Sequence, residues 1–233
     1  MTESKTQLAV GMKAQLDRLT QATAAGVPRI GWKIGINDHA RQQQLGIDGP
    51  VVGVLDGERT FRSGEACGLA PGALAAAEAE VAVWLKRDVR NDESADRART
   101  AIAAMAPAIE LVDYQRPRGS LAEILAHSIF HFAVVFGEEQ PFTWERVPEG
   151  SWPQLLRNGT PVADRDPALV PDDLGEIVRH VARLLAQHGE RLRAGDRVIC
   201  GSFVQPQPVE AGDQIAVDFG PLGWVEVRLT DNV

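Results

Sequence analysis

Ala76-Ala77-Glu78-Ala79-Glu80-Val81-Ala82-Val83-Trp84-Leu85 places two carboxylates at i and i+2 and then runs on through strand formers. On a strand, alternate side chains share a face, so Glu78 and Glu80 point the same way. Two like charges side by side repel unless a cation or a proton sits between them. Three readings follow: a solvated face, a site for a divalent metal, or a carboxylate pair sharing a proton. A third acid stands downstream in Pro107-Ala108-Ile109-Glu110-Leu111-Val112-Asp113, a second short apolar strand that ends in Asp113. Three carboxylates on neighbouring strands suit a hard, oxygen-seeking ion such as Mg2+, which keeps positions open for water and substrate.

The totals bound the rest. A chain of 233 residues has the length for a sizeable core. Its net charge of -8 argues against a nucleic-acid surface. Cys67 and Cys200 lie in unrelated contexts and carry neither a disulfide framework nor zinc spacing, so a reducing cytosol is the simplest home. Met1 to Val10 lacks a signal-peptide pattern, and no apolar run reaches membrane-spanning length. A cytoplasmic protein is expected.

Upstream of the acidic strand, residues 6–25 read as a helix, with Leu8, Met12, Leu16 and Leu19 at helical spacing and Gly26-Val27-Pro28 as the stop. Gly31-Trp32-Lys33-Ile34-Gly35 lies in a short strand with one lysine among apolar residues. Lys33 is either an exposed or snorkelling edge residue or an ammonium aimed at an anionic ligand; the flanking glycines favour the second. Asn37 to Pro50 reads as a short helix or a loop that can close over a ligand, with His39 in it. Val51 to Leu55 is a strand. Residues 93–105, rich in Ala and Arg, are expected to be helical.

Downstream, Arg116-Pro117-Arg118-Gly119 is a turn and Ser120 caps a helix of about two turns. His127 to Gly137 enters an apolar strand near whose start His127, Ser128 and His131 stand, either as site residues or as local backbone partners. Residues 142–165 read as strands around the Asn158-Gly159 turn. Pro171-Asp172-Asp173 opens an amphipathic helix ended by Gly189, and the tail alternates strands and turns. No Gly-x-Ser-x-Gly elbow surrounds any serine, which argues against a hydrolase triad. The expected organisation is an N-terminal helical segment, 1–25, and a single catalytic domain, 26–233.

Taken in order, Gly31-Trp32-Lys33-Ile34-Gly35, Gly46-Ile47-Asp48-Gly49-Pro50, Gly53-Val54-Leu55, Glu78-Ala79-Glu80 and Pro107 to Asp113 resemble the fumarylacetoacetate hydrolase superfamily. The tail agrees through Ala194-Gly195-Asp196, Gly201-Ser202, Ala211-Gly212-Asp213 and Asp218-Phe219-Gly220-Pro221-Leu222-Gly223. The branch it resembles is that of the 2-keto-4-pentenoate hydratases and 4-oxalocrotonate decarboxylases, with a shorter N-terminal region here. The resemblance implies an α+β fold of the fumarylacetoacetate hydrolase C-terminal-domain type: a curved, mostly antiparallel β-roll or sandwich with flanking helices.

It further implies a Mg2+ (or Mn2+) ion held by Glu78, Glu80 and Asp113, with Lys33 as the catalytic residue. Substrate is expected to meet Lys33, Leu45, Gly46, Ser128 and Ser202. The implied activity is that of a metal-dependent lyase on a 2-oxo acid, with an enolate on the path, as in aromatic catabolism. Hydration of a 2-hydroxydienoate leads and decarboxylation shares the same residues. Acylpyruvate hydrolysis ranks lower, because the position three after His39 is Gln42 rather than Glu, and a purely ligand-binding relative is the non-enzyme alternative. Partners are expected to be a small anionic 2-oxo acid and further copies of the chain in a homo-oligomer, with no nucleic acid and no membrane. Two departures fall on pocket positions: His127-Ser128-Ile129-Phe130 replaces Asp-Asn-Ala-Ser, and Phe203-Val204-Gln205 replaces Leu-Thr-Gly.

Overall fold

Short apolar runs punctuated by glycine become strands throughout the computed structural model, which describes residues 3–115, 119–142, 153–169 and 173–231. α1 (Glu3–Ala24) leads to β1 (Gly31–Gly35), α2 (His39–Leu45), β2 (Val51–Val54), β3 (Thr60–Arg62), β4 (Ala66–Leu69) and the long β5 (Ala75–Leu85). α3 (Ala95–Arg99), β6 (Ile102–Asp113), α4 (Leu121–Ala126), β7 (His131–Phe136) and the short β8 (Gln140–Pro141) follow. β9 (Gln154–Arg157) and β10 (Thr160–Asp164) form the expected hairpin around Asn158-Gly159. The chain continues through α5 (Leu174–Gln187), β11 (Arg197–Ser202), β12 (Gln207–Pro208), β13 (Gln214–Asp218) and β14 (Trp224–Asp231). The parts of the sequence reading that fall on Arg116-Pro117-Arg118, on 143–152 and on Pro171-Asp172 lie outside the described residues.

Two sheets result. One has nine strands in the order β2-β1-β11-β5-β6-β7-β3, with β12 added on β5 and β8 on β6; the other runs β10-β9-β13-β14-β4. Pairing is antiparallel except for β1 with β11, β3 with β7 and β4 with β14, so the α+β, mostly antiparallel expectation holds. The larger sheet curls. Ile199, Ala82, Ala108, Val134 and Phe136, from the successive strands β11, β5, β6 and β7, pack with Leu55 as one buried cluster on a single face. The opposite face carries Trp32, Ile34, Val52, Val198 and Val83 into the main core, where α5 contributes Leu174, Ile177, Val178, Val181 and Leu185.

Two boundaries differ from the sequence reading. The helix expected over 93–105 is confined to Ala95–Arg99, capped by Ser94, and the chain is already strand by Ile102. Pairing of Met105 with Val83 and Ala104 with Trp84 extends the β5–β6 ladder into that stretch, so tertiary pairing overrides local Ala and Arg propensity. The strand expected from His127 begins only at His131, because Ser128, Ile129 and Phe130 all adopt left-handed backbone.

β2 is an edge strand, and α1 blunts it in a specific way. Gln15, buried among apolar residues, donates from Nε2 to the Val52 carbonyl at 2.8 Å and accepts the Val54 N–H at 3.1 Å through Oε1. One side-chain amide thereby substitutes for a neighbouring strand. Replacing Gln15 with Leu keeps the volume and strands both backbone groups, so stability should fall by about 2–3 kcal/mol. A urea titration checks this; an unchanged midpoint would mean that water satisfies the edge instead.

Candidate metal centre

β5 and β6 pair with Glu78 directly opposite Glu110 and Glu80 opposite Ala108. Residues paired across an antiparallel ladder share a face, so Glu78, Glu80 and Glu110 project together. The chain of pairs Lys33–Ile199 and Ile199–Ala82 carries the same face across β11 to β1, which puts Lys33 with them. Each of the three glutamates offers an oxygen within 4.8 Å of the others. Glu80, Glu110 and Lys33 are buried, at 1%, 0% and 3% exposure, and Glu78 is partly exposed, so water reaches the cluster from its side.

The expected third acid, Asp113, is elsewhere. It stands three residues beyond Glu110, on the opposite parity of the strand, and its Oδ1 accepts the N–H groups of Leu74 at 3.1 Å and Gln115 at 2.9 Å. A strand-terminal aspartate turned to its own loop is ordinary turn chemistry. Glu110, which lies mid-strand in an apolar run, is the residue that joins Glu78 and Glu80.

Around the acids the donors are few. Lys33 Nζ is ion-paired with Glu110 Oε1 and donates to the Ile129 carbonyl at 3.3 Å. His131 Nδ1 lies 2.8 Å from the same Oε1, and since a carboxylate only accepts, the imidazole donates. Glu110 Oε2 and His131 Nε2 have no hydrogen-bond partner among the described residues. Burial opposes ionisation of Glu110, but Lys33 and His131 outweigh it and hold its carboxyl below the usual range. Burial, then the Glu110 charge, pushes Glu78 up to about 7 against the pull of Lys33, and burial with Glu110 and Glu78 pushes Glu80 well above its ordinary value. Burial works against the Lys33 charge as well, yet Glu110, Glu78 and Glu80 together raise it. Lys33 is therefore a held ammonium rather than a neutral base.

Local backbone devices fix these groups. A register irregularity between Ile199 and Ser202 places Gly201 at φ 101°, from where its N–H donates to Glu80 Oε2 at 2.8 Å. Gly53 faces the Lys33 stem: a Cβ there would sit 2.9 Å from Lys33 Cγ and 3.0 Å from the Ser128 carbonyl oxygen. The left-handed run at 128–130 turns the Ile129 carbonyl onto Lys33 and the Phe130 carbonyl onto the Asp113 N–H. Such backbone in three consecutive non-glycine residues is costly and is held by its surroundings.

The other residues expected to touch substrate divide. Ser202 pairs with Glu80 in the ladder, but its hydroxyl donates to the Val204 carbonyl at 2.8 Å. Ser128 is at the lysine corner, with Oγ 3.5 Å from Gln15 Oε1. Leu45 and Gly46 end α2 against the N-terminal helix, where the Leu45 carbonyl accepts from Ser4 Oγ. His39 is exposed at the start of α2, while Gln42 is buried and donates to the Ile36 carbonyl, so no acid–histidine pair forms there. Burial pushes the Cys67 thiol up to about 11 and that of Cys200 well above its ordinary value, which keeps both protonated.

Sequence reasoning missed Glu110 and Tyr114, and named His131 without its partner. A signal existed for Glu110, an acid in the middle of a strand apolar on both sides, which demands a cation. Tyr114 continues the parity of Glu110; burial and then Glu78 and Glu110 raise its phenol, so it stays a neutral hydroxyl.

Two buried carboxylates and a partly exposed one facing one ammonium, with an unpartnered carboxylate oxygen among them, are an oxygen-only donor set that fits a hard divalent ion. These features match a known class of proteins. The chain belongs to the fumarylacetoacetate (FAA) hydrolase C-terminal family, whose profile matches residues 32–230. It is 29% identical over 225 residues to a TodF product hydratase of Pseudomonas putida, covering 95% of this chain and 84% of the relative. It is 26% identical over 228 residues to a 4-oxalocrotonate decarboxylase of a Pseudomonas species, covering 93% and 86%. The structure of 4-oxalocrotonate decarboxylase from Pseudomonas putida G7, complexed with magnesium and adipate, superposes with a TM-score of 0.79 at 23% identity, over 92% of this chain and 83% of that one.

The crowding of acids has a stability consequence. Because Glu78 titrates near 7 when folded and near its ordinary value, 4.5, when unfolded, the folded state binds more protons between those limits. The contribution of Glu78 to the stability of metal-free protein therefore falls as pH rises from 4.5 through 7, and stays low above. Glu78→Gln in a chelating buffer should match the parent near pH 4.5 and exceed it at pH 8 by on the order of 1–3 kcal/mol. Denaturant midpoints of both proteins across pH test this; a parent–variant difference that stays constant between pH 4.5 and pH 8 would contradict it.

Proposed function

We propose that this chain is a divalent-metal-dependent hydro-lyase that converts a 2-hydroxydienoate to a 4-hydroxy-2-oxo acid. The observation that carries the proposal is the convergence of Glu78, Glu80 and Glu110 on one buried face beside the Lys33 ammonium. Those three glutamates would hold Mg2+ or Mn2+. Asp113, expected for that role from sequence, serves instead to fix the loop after β6. An ion held there would supply Lewis-acid polarisation of a 2-oxo acid.

The chain's own residues do the rest. Lys33, fixed by Glu110 and the Ile129 carbonyl, presents a permanent positive charge where the enol oxygen loses its proton and negative charge gathers. The dienol gives up its O–H proton and takes one at C5, leaving a conjugated 2-oxo-3-enoate. Water then adds its oxygen at C4 and leaves a proton at C3, so the net change is addition of one water. Glu78 and Glu80, held above the ordinary carboxylate range while the site lacks a cation, would give up their protons on holding the ion and act as ionised ligands. Tyr114 and the Ser128 corner are the neutral polar wall. Assembly into a homo-oligomer is part of the same proposal.

Decarboxylation is the second reading, favoured by the likeness to 4-oxalocrotonate decarboxylase in both sequence and structure. It uses the same residues, because loss of CO2 from a 2-oxo diacid also leaves charge on the enol oxygen. The deciding experiment follows Mg2+-dependent loss of dienol absorbance over a panel of 2-hydroxydienoates. Water uptake without gas supports hydration, CO2 release supports decarboxylation, pyruvate release supports C–C hydrolysis, and no turnover with retained binding supports a non-catalytic relative. Glu80→Gln should abolish metal binding and turnover together. Lys33→Ala should lower kcat by about 100-fold or more while metal affinity changes far less; equal losses in both would make Lys33 structural.

A further inference from the structure

His131 is absorbed by neither the metal reading nor the lysine chemistry, yet it is 2% exposed and spends its Nδ1–H on a metal-site carboxylate. Glu110 Oε1 accepts from two donors at once, Lys33 Nζ and His131 Nδ1, while Oε2 accepts from none among the described residues. The two oxygens of one carboxylate are thus made unequal. An oxygen already holding two N–H donors has little lone-pair density left for an ion, and Oε2 is free to bind.

Resting on the proposed metal centre, we infer that His131 is a positioning residue that restricts Glu110 to one-oxygen coordination and so makes the site favour Mg2+ and Mn2+ over Ca2+. The reason lies in what the ions demand. Mg2+ takes single oxygens in tight octahedral geometry, whereas Ca2+ is larger, takes more ligands and readily uses both oxygens of a carboxylate. A donor that occupies Oε1 withholds the second oxygen. His131 itself is locked by position: it opens β7 directly after the left-handed corner, with its N–H on the Ser128 carbonyl at 3.2 Å. Partners of this kind behind a metal ligand commonly change affinity by about 10- to 100-fold.

The test is calorimetric titration of metal-free protein with Mg2+, Mn2+ and Ca2+ separately, at one pH, for the parent, His131→Phe, His131→Leu and His131→Gln. Circular dichroism and unfolding midpoints establish that each variant is folded. The parent should bind Mg2+ and Mn2+ more tightly than Ca2+. The Phe and Leu variants, which lose the donor in two different shapes, should narrow that ratio by about tenfold. Gln, which keeps an N–H donor, should retain most of it. Folded Phe or Leu variants with the parent's ratio would overturn the inference. A parent that binds Ca2+ as tightly as Mg2+ would overturn it too, without any variant needing to fold. Glu80→Gln separates the two claims: if it still binds metal, the metal centre is wrong; if it does not, while Phe and Leu behave like the parent, only the role of His131 is wrong.

Discussion

Three carboxylates held on one face of two paired strands, where little water can screen them, are the constraint around which this fold is arranged. In bulk water, charges this close cost little. Buried, they must be matched by cations or be protonated. Lys33 supplies one positive charge and His131 a hydrogen bond, which together keep Glu110 ionised. Glu78 and Glu80 are left with raised affinities for a proton. A second, doubly charged cation would resolve the imbalance, and that is why the arrangement reads as a candidate site and not as a solvated face.

Much of the surrounding structure serves to hold that imbalance still. The irregularity in β11 aims a backbone N–H at Glu80. Gly53 leaves room for the lysine stem, and the left-handed turn at Ser128–Phe130 delivers a carbonyl to its ammonium. Ile129 is held there by packing against Gly35, where a Cβ would come within 3.0 Å of it. On the far side of the sheet α5 and the apolar residues of β1, β2 and β11 form an ordinary core, so the strain and charge are confined to one face. Stability supplied by that core is what allows the charged face to exist.

Much of this was legible in the sequence, and the parts that were not share a cause. Strand periodicity put Glu78 and Glu80 together and isolated Lys33 as a lone cation among apolar residues. The turn signal Asn158-Gly159 and the apolar stripe of α5 were local and were read correctly. Asp113 was expected beside Glu78 and Glu80, and Glu110 stands there, because which residue of β6 faces Glu78 is decided by pairing across the ladder, a non-local fact. The helix assigned through residue 105 failed likewise, since only β5 tells that stretch to be strand. His131 was visible as a histidine near a strand start, but nothing local assigns it a partner 21 positions away. Leu45, Gly46 and Ser202 were placed by resemblance, and their hydrogen bonds are to backbone and to the N-terminal helix.

The identity of the third carboxylate is the most direct test of the metal centre. Mn2+ binding can be followed by electron paramagnetic resonance for metal-free parent, Glu110→Gln and Asp113→Asn, each verified as folded. Glu110→Gln should leave essentially all Mn2+ free, while Asp113→Asn should bind it much as the parent does. Loss of binding in Asp113→Asn with Glu110→Gln unaffected would contradict the account.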